Sequence, residues 1–159
     1  MDIDYSIKEL DLFNANITIL PDLSKYTKLK VLNCSCNKLT SLDNLPLGLQ
    51  ILVCYGNDIT RLDNLPPGLL YLNCSYNKIT NLDNLPLGLL ELECSHNQIK
   101  SLDNLPPGLQ ELICNDNRLT SLNNLPLGLQ KLYCINNKIK SLDNLPPGLQ
   151  ILNYKNIFN

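Results

Sequence analysis

Tryptophan is missing from this chain, and histidine and methionine occur once each. A lone histidine, His96, cannot supply the paired imidazoles that zinc sites use, and no Cys-x2-Cys pair stands in its place. It also leaves no candidate for a nucleophile-and-base pair with a spare orienting group. There is no glycine-rich phosphate loop. Basic residues are not in excess: 13 Lys and Arg stand against 15 Asp and Glu, a net charge of -2. A nucleic-acid binder would need a basic face to neutralise phosphates. Asp, Asn or Pro interrupts every apolar run before it reaches the length of a membrane span. The start, Met1 to Tyr5, is acidic and polar, unlike a secretory signal. These absences predict a cytoplasmic protein with no cofactor, no metal, no nucleic-acid or membrane partner and no enzymatic activity. Glu93 and Glu111 are carboxylates of the kind that do acid–base work, but an open surface would exclude little water around them.

What is present is a period. Leu-x-Cys recurs every twenty residues, from Leu32-Asn33-Cys34 to Leu132-Tyr133-Cys134, and an asparagine follows each cysteine by three positions, from Asn37 to Asn137. A fixed period of this length means stacked copies of one short unit. Six of the seven cysteines stand in that column, and the constant spacing from a leucine marks them as buried, reduced core residues rather than a disulfide framework. Cys36 stands outside the column; two residues from Cys34, it would share that residue's face if the strand ran on.

One unit reads Leu49-x-x-Leu52-x-Cys54-x-x-Asn57-x-Ile59-x-x-Leu62-x-x-Leu65-Pro66. The string resembles the leucine-rich repeat, with Cys in the place of its third Leu. Its length and its Leu-x-x-Leu-Pro run resemble the shortest class of that family, known from bacterial effectors delivered into host cells. Cysteine-bearing versions with Leu-Pro-x-Gly-Leu also resemble repeats of large DNA viruses of amoebae. The resemblance covers roughly residues 7–157 and implies a right-handed coil, a protein-binding role and, for a viral or effector protein, the host cytoplasm.

The residues themselves support the same fold. Alternation around Leu52-Val53-Cys54 predicts a short strand with Leu52 and Cys54 inward and Ile51, Val53 and Tyr55 outward. Proline in the return segment precludes a long helix there. The expected fold is an α/β-type solenoid dominated by β, with a concave parallel sheet and a convex side of extended and 3-10 segments. It forms a single domain over 1–159: a cap and first 22-residue repeat over 1–28, six 20-residue repeats over 29–148, and a truncated cap over 149–159. The stretch Leu20–Leu29 has room for a helical turn. Gly48, Gly68, Gly88, Gly108, Gly128 and Gly148 are expected to carry positive φ where the chain turns into the strand. The asparagine column is expected to satisfy backbone groups of its own coil and the next, so that removing one costs on the order of 1–3 kcal/mol. At the far end Tyr154 takes the cysteine column and Ile157 the asparagine column.

Constant positions build the coil, which leaves the variable outward positions for binding. Three outward columns run along the strands, the third being Ser35, Tyr55, Ser75, Ser95, Asn115, Ile135 and Lys155. With strands about 4.8 Å apart, Glu91, Glu93 and Glu111 form one acidic centre. Tyr55, Tyr71 and Tyr76 flank it on one side and Tyr133 on the other. Aromatics around a charged centre predict a non-catalytic protein-binding face suited to a partner with a basic segment. His96 falls near Glu91 and Glu93, but a lone exposed histidine is usually incidental. The alternative is a structural protein that self-associates through its C-terminal open edge, as a weak homodimer instead of a monomer.

Overall fold

In the computed structural model, which describes residues 4–155, eight three-residue strands form one parallel sheet in sequence order. They are β1 (Glu9–Asp11), β2 (Val31–Asn33), β3 (Ile51–Val53), β4 (Tyr71–Asn73), β5 (Glu91–Glu93), β6 (Glu111–Ile113), β7 (Lys131–Tyr133) and β8 (Ile151–Asn153). The register is that of the period: Leu32 lies beside Leu52, Leu52 beside Leu72, and so on to Leu152. The middle residue of each strand from β2 to β7 is buried.

Behind the strands each coil contributes the same inward set. In the third it is Leu49, Leu52, Cys54, Ile59 and Leu62, all sealed from solvent or nearly so. The six column cysteines are free and fully buried. Each takes the inward place after the strand, where a leucine side chain would carry two more heavy atoms. Ile7, Leu10, Leu12 and Ile17 of the first coil are only partly buried, and all three residues of β8 are exposed. A coil has a neighbour on both sides only in the interior of a stack. Tyr154 is half-buried against the core, whereas Ile157 lies outside the described residues.

The asparagine column closes the turn after each strand. Asn97 Nδ2 donates to the carbonyls of Cys74 (3.0 Å) and Cys94 (3.1 Å), and its Oδ1 accepts from the amide of Ile79 (2.9 Å). Asn57, Asn77, Asn117 and Asn137 repeat the pattern. One side chain therefore serves two coils, because the turn leaves inward-facing peptide groups that no strand partner reaches.

Several local expectations fail. None of the six repeat glycines from Gly48 to Gly148 has positive φ; Gly56 is the one glycine that does among the described residues. Left-handed backbone falls instead on Asn44, Asn64, Asn84, Asn104, Asn124 and Asn144, and on Cys36, Gly56, Tyr76, His96, Asp116 and Asn136 just past each strand. Asparagine tolerates that region because its short amide bonds locally. Gly48 and its equivalents occupy the third position of a turn closed by Leu49 N to Pro46 O at 3.1 Å, which needs no positive φ in its common form. Cys36 turns away with its left-handed φ of 55°, and does not share the inward face of Cys34. The stretch Leu20–Leu29 forms successive turns, Tyr26 N to Leu23 O and Leu29 N to Tyr26 O, without a helix. The convex side is likewise turns and extended backbone, with no 3-10 segment among the described residues.

That turn also explains the alternation of Leu47, Pro67, Leu87, Pro107, Leu127 and Pro147. All six hold its second position, where proline presets φ and no amide is required. The three leucines are about four-fifths exposed there. Changing Leu47, Leu87 and Leu127 together to proline is expected to raise stability in urea melts, by about 0.4–1 kcal/mol per site. A loss would mean that the leucine turns differ in backbone from their proline neighbours.

Candidate functional site

The sheet's outer face gathers the acidic and aromatic residues at its middle. Parallel register sets Glu91 of β5 directly between Tyr71 of β4 and Glu111 of β6. Glu93, two residues along β5, points to the same side. Its carboxylate is held at both oxygens: Tyr71 Oη donates to Oε1 at 2.6 Å and Asn73 Nδ2 to Oε2 at 2.9 Å. Burial and the Glu93 charge push the Tyr71 phenol well up, so it stays a donor. Between β6 and β7, Lys131 Nζ meets Glu111 Oε2 at 2.8 Å, and that bond raises the lysine above its ordinary value. The Glu91 carboxylate has no ion pair or hydrogen bond among the described residues; its amide donates to the Leu70 carbonyl.

The acidic centre is therefore real but partly neutralised. Three carboxylates face one ammonium, and the repulsion between adjacent Glu91 and Glu111 is relieved by Lys131. Tyr133, on β7, lies two strands from Glu93, beyond Ile113.

Tyr55 and Tyr76 belong to a neighbouring hollow of about 390 Å³, lined by Tyr55, Asn73, Tyr76, Glu93, His96 and Asp116 with Ser75, Ser95 and Asn115 at its floor. Tyr76 stacks on His96, with ring centroids 4.0 Å apart and planes 19° from parallel. His96 Nε2 lies 3.5 Å from Asp116 Oδ2, so the carboxylate it meets is that of Asp116. Asn136 Nδ2 holds the other Asp116 oxygen at 2.9 Å.

The third column is not an open binding row. Ser35, Ser75 and Ser95 are buried. Ser75 Oγ accepts from Ser95 N and Ser95 Oγ from Asn115 N, each at 3.2 Å, while Asn115 Oδ1 accepts from Ile135 N at 2.8 Å. Ser35 Oγ has no hydrogen-bond partner among the described residues. A short polar side chain at that place bonds the next coil's backbone, which alternation alone does not disclose. A second unforeseen ladder runs along the return segments: Asn84, Asn104 and Asn124 donate to Asp63, Asp83 and Asp103 at 3.0, 3.1 and 2.8 Å. The repeated Asp-Asn dipeptide was its signal. Both the Tyr76–His96 stack and the Lys131–Glu111 pair were signalled by residues twenty apart.

No group of three or more His, Cys, Asp or Glu among the described residues could hold a metal ion. No helix among them is long and apolar enough to cross a membrane.

The family model described as Leucine Rich repeats (2 copies) matches residues 6–47. Among solved structures, YopM from Yersinia enterocolitica WA-314 is 34% identical, with a TM-score of 0.80 over 94% of this chain and 33% of that one. A Shigella effector leucine-rich-repeat domain is also 34% identical, with a TM-score of 0.77 over 86% of this chain and 61% of that one. The chain is a leucine-rich-repeat solenoid. A functional domain of InlJ from Listeria monocytogenes that includes a cysteine ladder is 34% identical, with a TM-score of 0.76 over 94% of this chain and 40% of that one. The leucine-rich-repeat chain thus spans between 33% and 61% of the length of these three structures. A search of curated proteins found no match. Leucine-rich-repeat domains are in general protein-interaction modules, and nothing in the comparisons supports self-association.

Proposed function

We propose that this solenoid is a non-catalytic module that binds a partner protein on the outer face of its sheet, through a basic segment of that partner. The observation that carries the reading is the middle of the face. Glu91, Glu93 and Glu111 stand there with Tyr55, Tyr71, Tyr76 and Tyr133 around them, and Glu91 feels Lys131 but forms no ion pair of its own among the described residues. Tyrosine offers large contact area at low entropic cost, and an unpaired carboxylate in an aromatic setting favours a cationic partner. The resemblance to effector repeats suits action in a host cytoplasm.

The test is charge reversal on two accessible positions. Glu91→Lys with Glu111→Lys is expected to weaken capture of basic peptides or of a cellular partner by about tenfold or more. Added salt is expected to weaken wild-type binding in the same direction. Capture that is unchanged by both would remove the acidic face from consideration.

A further inference from the structure

The hollow beside the acidic centre has features that a general acidic face does not need. Glu93 is braced from two sides, by Tyr71 and Asn73, with distances of 2.6 and 2.9 Å. Asp116 is braced by Asn136 at 2.9 Å. A carboxylate oxygen accepts more than one hydrogen bond, so bracing fixes these groups without exhausting them. Tyr76 and His96, as one stacked pair, and Tyr55 line the hollow with them. Neither Lys nor Arg lines the hollow. Tyr76 is 57% exposed although it sits in that stack.

We infer that this hollow accepts one arginine side chain of the bound partner, its guanidinium hydrogen-bonding the braced Glu93 carboxylate beside the Tyr55, Tyr76 and His96 rings. This rests on the protein-binding reading above and names its anchor. Three properties favour arginine. The lining is rich in acceptors, and guanidinium brings five donors in a rigid plane. Aromatic walls favour a flat, weakly hydrated cation over a compact ammonium. The bracing of Glu93 removes part of the ordering cost that an exposed carboxylate would otherwise incur on pairing.

The probe is Nα-acetyl-arginine amide, whose only charge is the guanidinium, titrated into the whole chain and followed by amide NMR. Its citrulline counterpart keeps the shape and loses the charge. The arginine probe is expected to shift the amides of Tyr55, Tyr76, His96 and Asn115 saturably. The citrulline probe should bind at least about tenfold more weakly, as loss of a charge-assisted pair implies. Glu93→Gln should weaken the arginine probe by a similar factor, and Tyr76→Asn, which suits the positive φ there, should weaken it independently of any charge change. Equal binding of both probes, or no localised shift at about 50 mM, overturns the arginine slot. Unchanged partner capture by the Glu91→Lys, Glu111→Lys protein would instead overturn the wider binding face while leaving a responsive hollow standing.

Discussion

Raising the pH to about 10 is expected to unfold this protein, with its six column thiols ionising in the same step. Cys34, Cys54, Cys74, Cys94, Cys114 and Cys134 are fully enclosed by the coil. Burial pushes Cys34 and Cys74 up to about 12 and Cys134 up to about 11, and raises Cys54, Cys94 and Cys114 well above the ordinary thiol value. Because the folded values are raised, the contribution is fully present below the unfolded thiol value of about 8.5–9. Above it the unfolded chain releases protons that the folded chain keeps, and stability falls until the folded values are reached. Each thiol removes about 1.4 kcal/mol per pH unit in that window, and six together about 8 kcal/mol. One unit of pH is then comparable to the whole stability of an ordinary domain, about 5–15 kcal/mol. Far-ultraviolet circular dichroism and thiolate absorbance, recorded in reductant from pH 7 to about 11, should change together. Thiolate absorbance rising near pH 9 by six sulfurs' worth, beyond the one contributed by half-buried Cys36, with the dichroism intact would mean that the column sulfurs face solvent, and that the inward and outward columns are exchanged.

Asn97→Ala is the second large loss. The sequence supports an expectation on the order of 1–3 kcal/mol, but the side chain serves the carbonyls of Cys74 and Cys94 and the amide of Ile79 while itself being buried. Several groups lose their partner at once, and the expected cost is about 3–6 kcal/mol in urea melts. Asn97→Asp should be no better, since a carboxylate accepts but cannot donate to two carbonyls. Asn81→Ala, at an exposed position, should stay within about 0.5 kcal/mol. If Asn97→Ala matched Asn81→Ala, water must replace the amide and the turn cannot be closed as described.

Both predictions concern inward columns, and those were the most legible part of the chain. A twenty-residue period multiplies one weak local preference into many agreeing copies, so that Leu52, Cys54 and Asn57 disclose their roles through Leu72, Cys74 and Asn77. The outer face was legible in position but not in partnership. Residues twenty apart must be neighbours, which brought Glu91 and Glu111 together on paper, and the same rule applied to Lys131 and His96 would have found the pair and the stack. Reading the acidic residues without the lysine in their own column overstated the charge.

The sequence by itself determined the stacked coil, its register and its buried thiols, because translation by one unit leaves each inward residue a single place to go. Tertiary structure alone decided which residues take left-handed backbone. Gly48 and Asn44 are both turn formers, and only the closure of the whole coil distributes the bends between them. It also decided that Ser75 and Ser95 lie under the surface instead of on it, and that Tyr71 and Asn73 brace Glu93. Those outcomes turn on side-chain rotamers and on lateral reach between columns, quantities that a one-dimensional repeat does not contain.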